Sequence, residues 1–201
     1  MENKGWLVVA LLAVVFIIVA IGISFNILPL TGYVTTTGTV NVSVDTLASV
    51  NFTVNNLNFG SGAVTAGQDA AYLYSNGTVT GGTWTPDTVT SGFLVENIGN
   101  VNTTLNISFS DTAATMIGGN SPALQYKVTD KSGETGACDV GASGFTLGEY
   151  TDALTAQTRI CDVFNNAAAL DEISIDIYMK IPSDSYTDAR GNVVTVTYEG
   201  I

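Results

Sequence analysis

The 201-residue chain contains no histidine, which removes the commonest general base and the commonest protein metal ligand together. Basic side chains are almost as scarce: six Lys and Arg face eighteen Asp and Glu, for a net charge of -12. Glu2 and Lys4 cancel, so the whole excess lies downstream of the N-terminal apolar segment. That sign excludes a nucleic-acid partner. Ser and Thr are plentiful, but with five basic side chains beyond the apolar segment no base is evident that would turn one of them into a nucleophile. Cysteine is limited to Cys138 and Cys161, so there is no second pair to complete a zinc site. No cofactor-binding motif is present. These absences together point to a protein that is not an enzyme.

Charge is also missing locally. From Gly5 to Val44 there is no charged residue, and Trp6 to Ile23 (WLVVALLAVVFIIVAIGI) carries no polar group except one indole. Eighteen apolar residues suit a membrane-spanning helix and exceed the core of a secretory signal, although Ala20-Ile21-Gly22 leaves a cleavable signal open. Pro29 and Gly32 end the helix near Leu28. Lys4 is the only basic residue before Lys127, which orients the N-terminus inward. The expectation is an anchor or signal-type helix over residues 1–29 and an extracellular domain over 30–201, placed at the cell membrane and cell surface. Lys4-Gly5 before the unbroken apolar run resembles the processing site of archaeal type IV pilins and archaellins, which would make Gly5 the last residue removed and the helix a filament core.

What remains is rich in Thr, Asn, Gly and Ser and alternates with period two. Ile173, Ile175, Ile177, Met179 and Ile181 occupy one phase of the clearest strand, with polar or amphipathic residues between them. Similar alternation marks Val40/Val42/Val44, Val50/Phe52/Val54, Leu105/Ile107/Phe109, Leu124/Tyr126/Val128 and Val194/Val196/Tyr198. Turn residues separate the strands at Asn76-Gly77, Gly81-Gly82, Ile98-Gly99-Asn100, Lys131-Ser132-Gly133 and Arg190-Gly191-Asn192. Only Asp111 to Ile117 is briefly helical. Many short strands, one polar face each, predict an all-β, two-layer sandwich of jelly-roll or immunoglobulin-like topology.

Five N-x-[ST] sequons, at Asn41, Asn51, Asn76, Asn102 and Asn106, fall on polar phases or, for Asn76, at a hairpin tip, where glycans would not disturb a core; a Thr/Asn-rich chain also generates such triplets by chance. Cys138 and Cys161 in an exported chain are expected to form a disulfide, with two buried thiols as the alternative. Two acidic clusters, Asp171/Glu172/Asp176 and Asp184/Asp188, offer the oxygen ligands that calcium needs or a glycosidase's paired carboxylates. Their spacing matches no calcium loop, so solvated surface charge is the reading adopted, with weak calcium binding left open. Trp84, the only tryptophan beyond the helix, is read as a core aromatic rather than a sugar platform.

Gly38-Thr39-Val40, the run Phe93-Leu94-Val95-Glu96-Asn97-Ile98-Gly99-Asn100, and the Ile173 to Ile181 strand before Gly191-Asn192 resemble, in order, the TasA/camelysin-type fibre proteins and archaeal bundling pilins. The resemblance implies a jelly-roll subunit that polymerises by donating an N-terminal strand to a groove in the next subunit. The matching donor would be Tyr33 to Val44, with Val34, Val40, Val42 and Val44 on one phase. The alternative is that this segment pairs within its own sheet. Three functions follow as expectations: a self-associating surface filament or envelope subunit, a single-pass adhesin that binds glycans or other surface proteins without polymerising, and, least supported, a hydrolase built on one acidic cluster.

Overall fold

The computed structural model describes residues 42–86 and 92–201. The N-terminal helix, Gly5, Val34, Val40 and Asn41 lie outside the described residues, and among those described no helix is long and apolar enough to cross a membrane.

The domain is a β-sandwich. Its strands are β1 (Val50–Val54), β2 (Ala70–Tyr74), β3 (Val79–Thr80), β4 (Phe93–Asn97), β5 (Thr103–Phe109), β6 (Ala123–Asp130), β7 (Cys138–Asp139), β8 (Thr151–Asp152), β9 (Thr158–Phe164), β10 (Glu172–Pro182) and β11 (Val194–Gly200). One helical turn, α1 (Ala113–Met116), precedes β6, and its cap is Thr112, whose hydroxyl accepts from the Thr115 amide. The helical stretch expected from Asp111 to Ile117 is thus real but shorter.

β10 organises the larger sheet. One edge pairs with β6 along nearly its whole length, and the other is shared end to end by β4, opposite Glu172 to Ile175, and β2, opposite Tyr178 to Pro182. β1 extends the sheet beyond β4, β3 beyond β2 and β8 beyond β6, all antiparallel. The smaller sheet runs β11-β5-β9-β7. Period two explains the core directly. Ile173, Ile175, Ile177 and Met179 are buried, and their register partners Val95, Val128, Tyr126, Leu124 and Leu73 are buried with them. Leu105, Ile107, Phe109, Ile160 and Phe164 meet them from the smaller sheet. Tyr126 stacks on Phe145 with ring centroids 5.9 Å apart and lies 5.3 Å from Phe109.

Three features hold the layers and ends. The side chain of Asn97, 2% exposed, donates from Nδ2 to the carbonyls of Val101 and Phe164, both at 3.1 Å, and accepts from the Gly99 amide. It therefore ties the end of β4 to β9 in the other sheet. The Cys138–Cys161 disulfide exists as expected, with Cα atoms 5.3 Å apart, and it joins β7 to β9. Gly92 passes so close to β10 that a Cβ there would sit 2.2 Å from the Ile175 carbonyl oxygen, which only glycine allows at this approach.

The segment Val40/Val42/Val44 departs from expectation where it is described: Val42 and Val44 belong to no strand and are 79% and 76% exposed. Among the described residues the chain is first fastened at Asp45 to Leu47, where Asn100 donates to the Asp45 carbonyl and accepts from the Leu47 amide.

Candidate functional site

The layers do not close everywhere. A cleft of about 1150 Å³ opens between them, and its floor is core surface: Leu73, Phe93, Phe109, Leu124, Ile177, Met179 and Ile181. One rim is the irregular stretch 56–68, and the other is the loop 183–192 with Val194 at the start of β11. Local sequence explains the first rim. Residues 55–63 belong to no strand although Leu57 and Phe59 pack against the core, and Gly60 and Gly62 run against Thr85 and Trp84 so closely that a Cβ on either would meet backbone at 2.3 and 2.5 Å. Regular pairing resumes only at Val64, which bridges to Gly82. Beside the second rim, β11 pairs with β5 alone among the described residues. An apolar floor next to an unpaired strand edge can accept an extended segment, which would gain main-chain hydrogen bonds from the edge and burial for alternate side chains.

The acidic clusters are taken apart by their surroundings. Glu172 is buried on β10, accepts from the Thr53 hydroxyl at 2.8 Å and forms an ion pair with Lys131. That hydrogen-bonded carboxylate is the main reason the Lys131 ammonium titrates above its ordinary range. Asp176 pairs with Lys127 at 3.1 Å and accepts from the Ser75 hydroxyl. Asp171 contributes its backbone carbonyl to the Asn97 amide. In the second cluster, Asp184 accepts from the Asn120 amide, whereas Asp188 turns to Arg190, whose hydrogen bond holds its carboxyl below the usual range. Among the described residues no three His, Cys, Asp or Glu groups converge on a point where a metal ion could sit. Trp84 packs against the core beside Gly62 and Gly82.

The four described sequons differ in environment. Asn51 is exposed on β1 opposite Glu96. Asn102 accepts from the Asn166 amide and Asn106 from Arg159 Nε, and both are half-buried. Asn76 is exposed in the β2–β3 turn, where its Oδ1 accepts from the Thr78 amide and Gly77 takes a φ of 84°.

A feature the sequence reasoning missed is a strip of tyrosines on the outer face of the larger sheet. The Tyr178 ring centroid lies 6.5 Å from Tyr72, 5.1 Å from Tyr74 and 5.7 Å from Tyr150, and Lys127 sits 5.1 Å from the Tyr150 centroid. Desolvation by these neighbours raises the Tyr150 and Tyr178 hydroxyls above the ordinary tyrosine value. Tyr72 and Tyr74 stand two apart in β2, and Tyr178 occupies the polar phase of β10. Only the register, which aligns Tyr74 with Tyr178, brings them together.

Compared with known proteins, the chain matches no family model, no curated sequence and no solved structure. Fold and site together define a class, a disulfide-linked β-sandwich with an open interlayer cleft.

Proposed function

We propose that this chain is a non-catalytic, exported structural protein of the cell surface, anchored or processed at its N-terminal helix, that assembles into filaments or an envelope layer by β-strand donation. In this reading the segment 33–44 of one copy lies along the free edge of β11 in the next and lays its valines over the floor of the cleft. The sandwich takes a jelly-roll topology, as the resemblance to TasA/camelysin-type fibre proteins implies. The observation that carries the proposal is the apolar cleft beside a strand edge that no described strand pairs, in a chain whose Val42 and Val44 are exposed and belong to neither sheet.

Edge strands with an apolar neighbour are normally blunted or covered, because they template pairing with other chains. Here β11 (VTVTYEG) places one charged side chain, Glu199, along that edge. A donated strand would supply the missing cover. The alternative, an anchored adhesin with a monomeric ectodomain, leaves both the edge and the cleft without an occupant among the described residues.

The test uses the full chain displayed on cells and viewed by electron microscopy, beside a Val40→Asp/Val42→Asp/Val44→Asp variant. Surface filaments or ordered arrays lost in the variant, with surface expression unchanged, are expected. Uniformly monomeric display of the unaltered chain would favour the adhesin.

A further inference from the structure

We infer that Asn76 carries an N-linked glycan and that the first sugars of this glycan pack on the tyrosine strip of the same chain. The argument begins with register. β2 and β10 pair so that Tyr74 faces Tyr178 and Tyr72 faces Lys180. The Ser75 amide continues that pairing by donating to the Ile177 carbonyl at 2.8 Å. Asn76 follows in the β2–β3 turn, and Asp176, whose carboxylate accepts from the Ser75 hydroxyl, faces Lys127 of β6, the residue that lies over Tyr150. The sequon asparagine therefore stands two residues beyond Tyr74, at the end of the strand pairing that holds Tyr74 against Tyr178. Ser75, between Tyr74 and Asn76, is buried, whereas Asn76 is exposed.

The turn itself suits attachment. Asn76 is exposed, its Oδ1 is engaged by the Thr78 amide, and no described group takes its Nδ2, the atom that would be glycosylated. The strip suits a neutral saccharide. Tyrosine faces offer apolar, electron-rich surface to the C–H faces of a pyranose, while Asp176 and Lys127 stand at the rim as hydrogen-bond partners. Lys127 and Lys180 balance Asp152 and Asp176 on this face, so it presents little net field in a chain whose charge is -12, and a charged ligand gains nothing there. A contiguous exposed aromatic patch on a surface protein is otherwise an adhesion liability. Tyr72 and Tyr150 are 36% and 37% exposed, and a tethered sugar covers them without a second molecule.

The experiment uses the full chain, purified in detergent from a host that N-glycosylates exported proteins, as the parent and as Asn76→Gln, Tyr74→Ser/Tyr178→Ser, Tyr74→Phe/Tyr178→Phe and the Asn76→Gln/Tyr74→Ser/Tyr178→Ser combination. Glycopeptide mass spectrometry is expected to find Asn76 modified, and NMR to show contacts between sugar protons and tyrosine rings, retained in the Phe variant and lost in the Ser variant. Asn76→Gln should lower the melting temperature by about 2–4 °C, the shift of a contact network worth on the order of 1 kcal/mol. In the Ser background the same substitution should have no further effect, because the two sites act as one unit. Nitration of Tyr72 and Tyr150 by tetranitromethane should accelerate several-fold in Asn76→Gln. The Phe variant separates loss of the platform from loss of the fold. An unmodified Asn76 overturns the inference, and so does a glycan whose removal leaves melting and nitration unchanged. Concentration-dependent protection of the tyrosines in Asn76→Gln also overturns it, since a second copy would then be the occupant.

Discussion

Asn97 makes the sharpest test of how the two layers are joined. Replacing it with alanine removes two donated bonds, to Val101 and Phe164, and one accepted from Gly99, at a residue that is only 2% exposed. At about 1 kcal/mol for each buried bond the loss is about 3 kcal/mol, which for a domain of this size is roughly 6–12 °C in melting temperature. Asn97→Asp separates the donors from the volume. It keeps an acceptor for Gly99 but turns a carboxylate toward two carbonyl oxygens, so at neutral pH it should be worse than alanine. Burial and those carbonyls raise the folded pKa of the new acid above its unfolded value. Its penalty is therefore full above the folded pKa and shrinks as pH falls toward the unfolded one, where the protonated form donates again. Calorimetric or circular-dichroism melting of the parent and both variants between pH 4 and pH 8 reads this out. An alanine variant that melts within a degree of the parent, or an aspartate variant with no acid recovery, would refute the reasoning.

Two further outcomes follow from the same structure. Cys138→Ala/Cys161→Ala opens a loop with a sequence separation of 23 and should cost about 3 kcal/mol by freeing the unfolded chain, measured as a denaturant midpoint that falls while the slope steepens, because the freed chain exposes more surface. Asp188 is held below the ordinary carboxylate range chiefly by its hydrogen bond from Arg190, so its contribution is present above the unfolded pKa and lost as pH falls through the folded one. Because the pair is exposed that contribution is small and salt-sensitive, and Arg190→Ala should move the Asp188 carbonyl-carbon NMR titration upward toward the usual value.

Strands with one clean alternating phase were legible from residues alone: β10, β6, β5 and β1 lie where their apolar phases put them, and Asn76-Gly77 makes the expected turn. β9 was not, and its register explains why. Irregularities in the β5–β9 pairing break period two, so Ile160 and Cys161 are buried as consecutive residues, a pattern that no alternation template detects. The cleft was equally invisible, since it arises where residues 55–63 cross the open side of the sandwich without a regular strand, and missing cover has no sequence signature. The tyrosine strip fell between the two cases. Tyr178 was in view on the polar phase of its strand, but no alternating phase marks β2, and the convergence of Tyr72, Tyr74 and Tyr150 on Tyr178 depends on which strands flank β10. Two aspects of the acidic clusters also needed coordinates: Glu172 is buried against Thr53 and Lys131, and Asp176 is tied to Lys127 and Ser75.

Strand donation is tested most directly by a photo-crosslinking residue placed at Val42 in the full chain, with unlabelled and ¹⁵N-labelled copies co-assembled at the surface. The account predicts crosslinks from position 42 to the cleft, at Ile181, Val194 or their neighbours, in peptides of mixed isotopic label, because donor and acceptor belong to different copies. Crosslinks confined to same-label pairs, or none reaching the cleft, would contradict it.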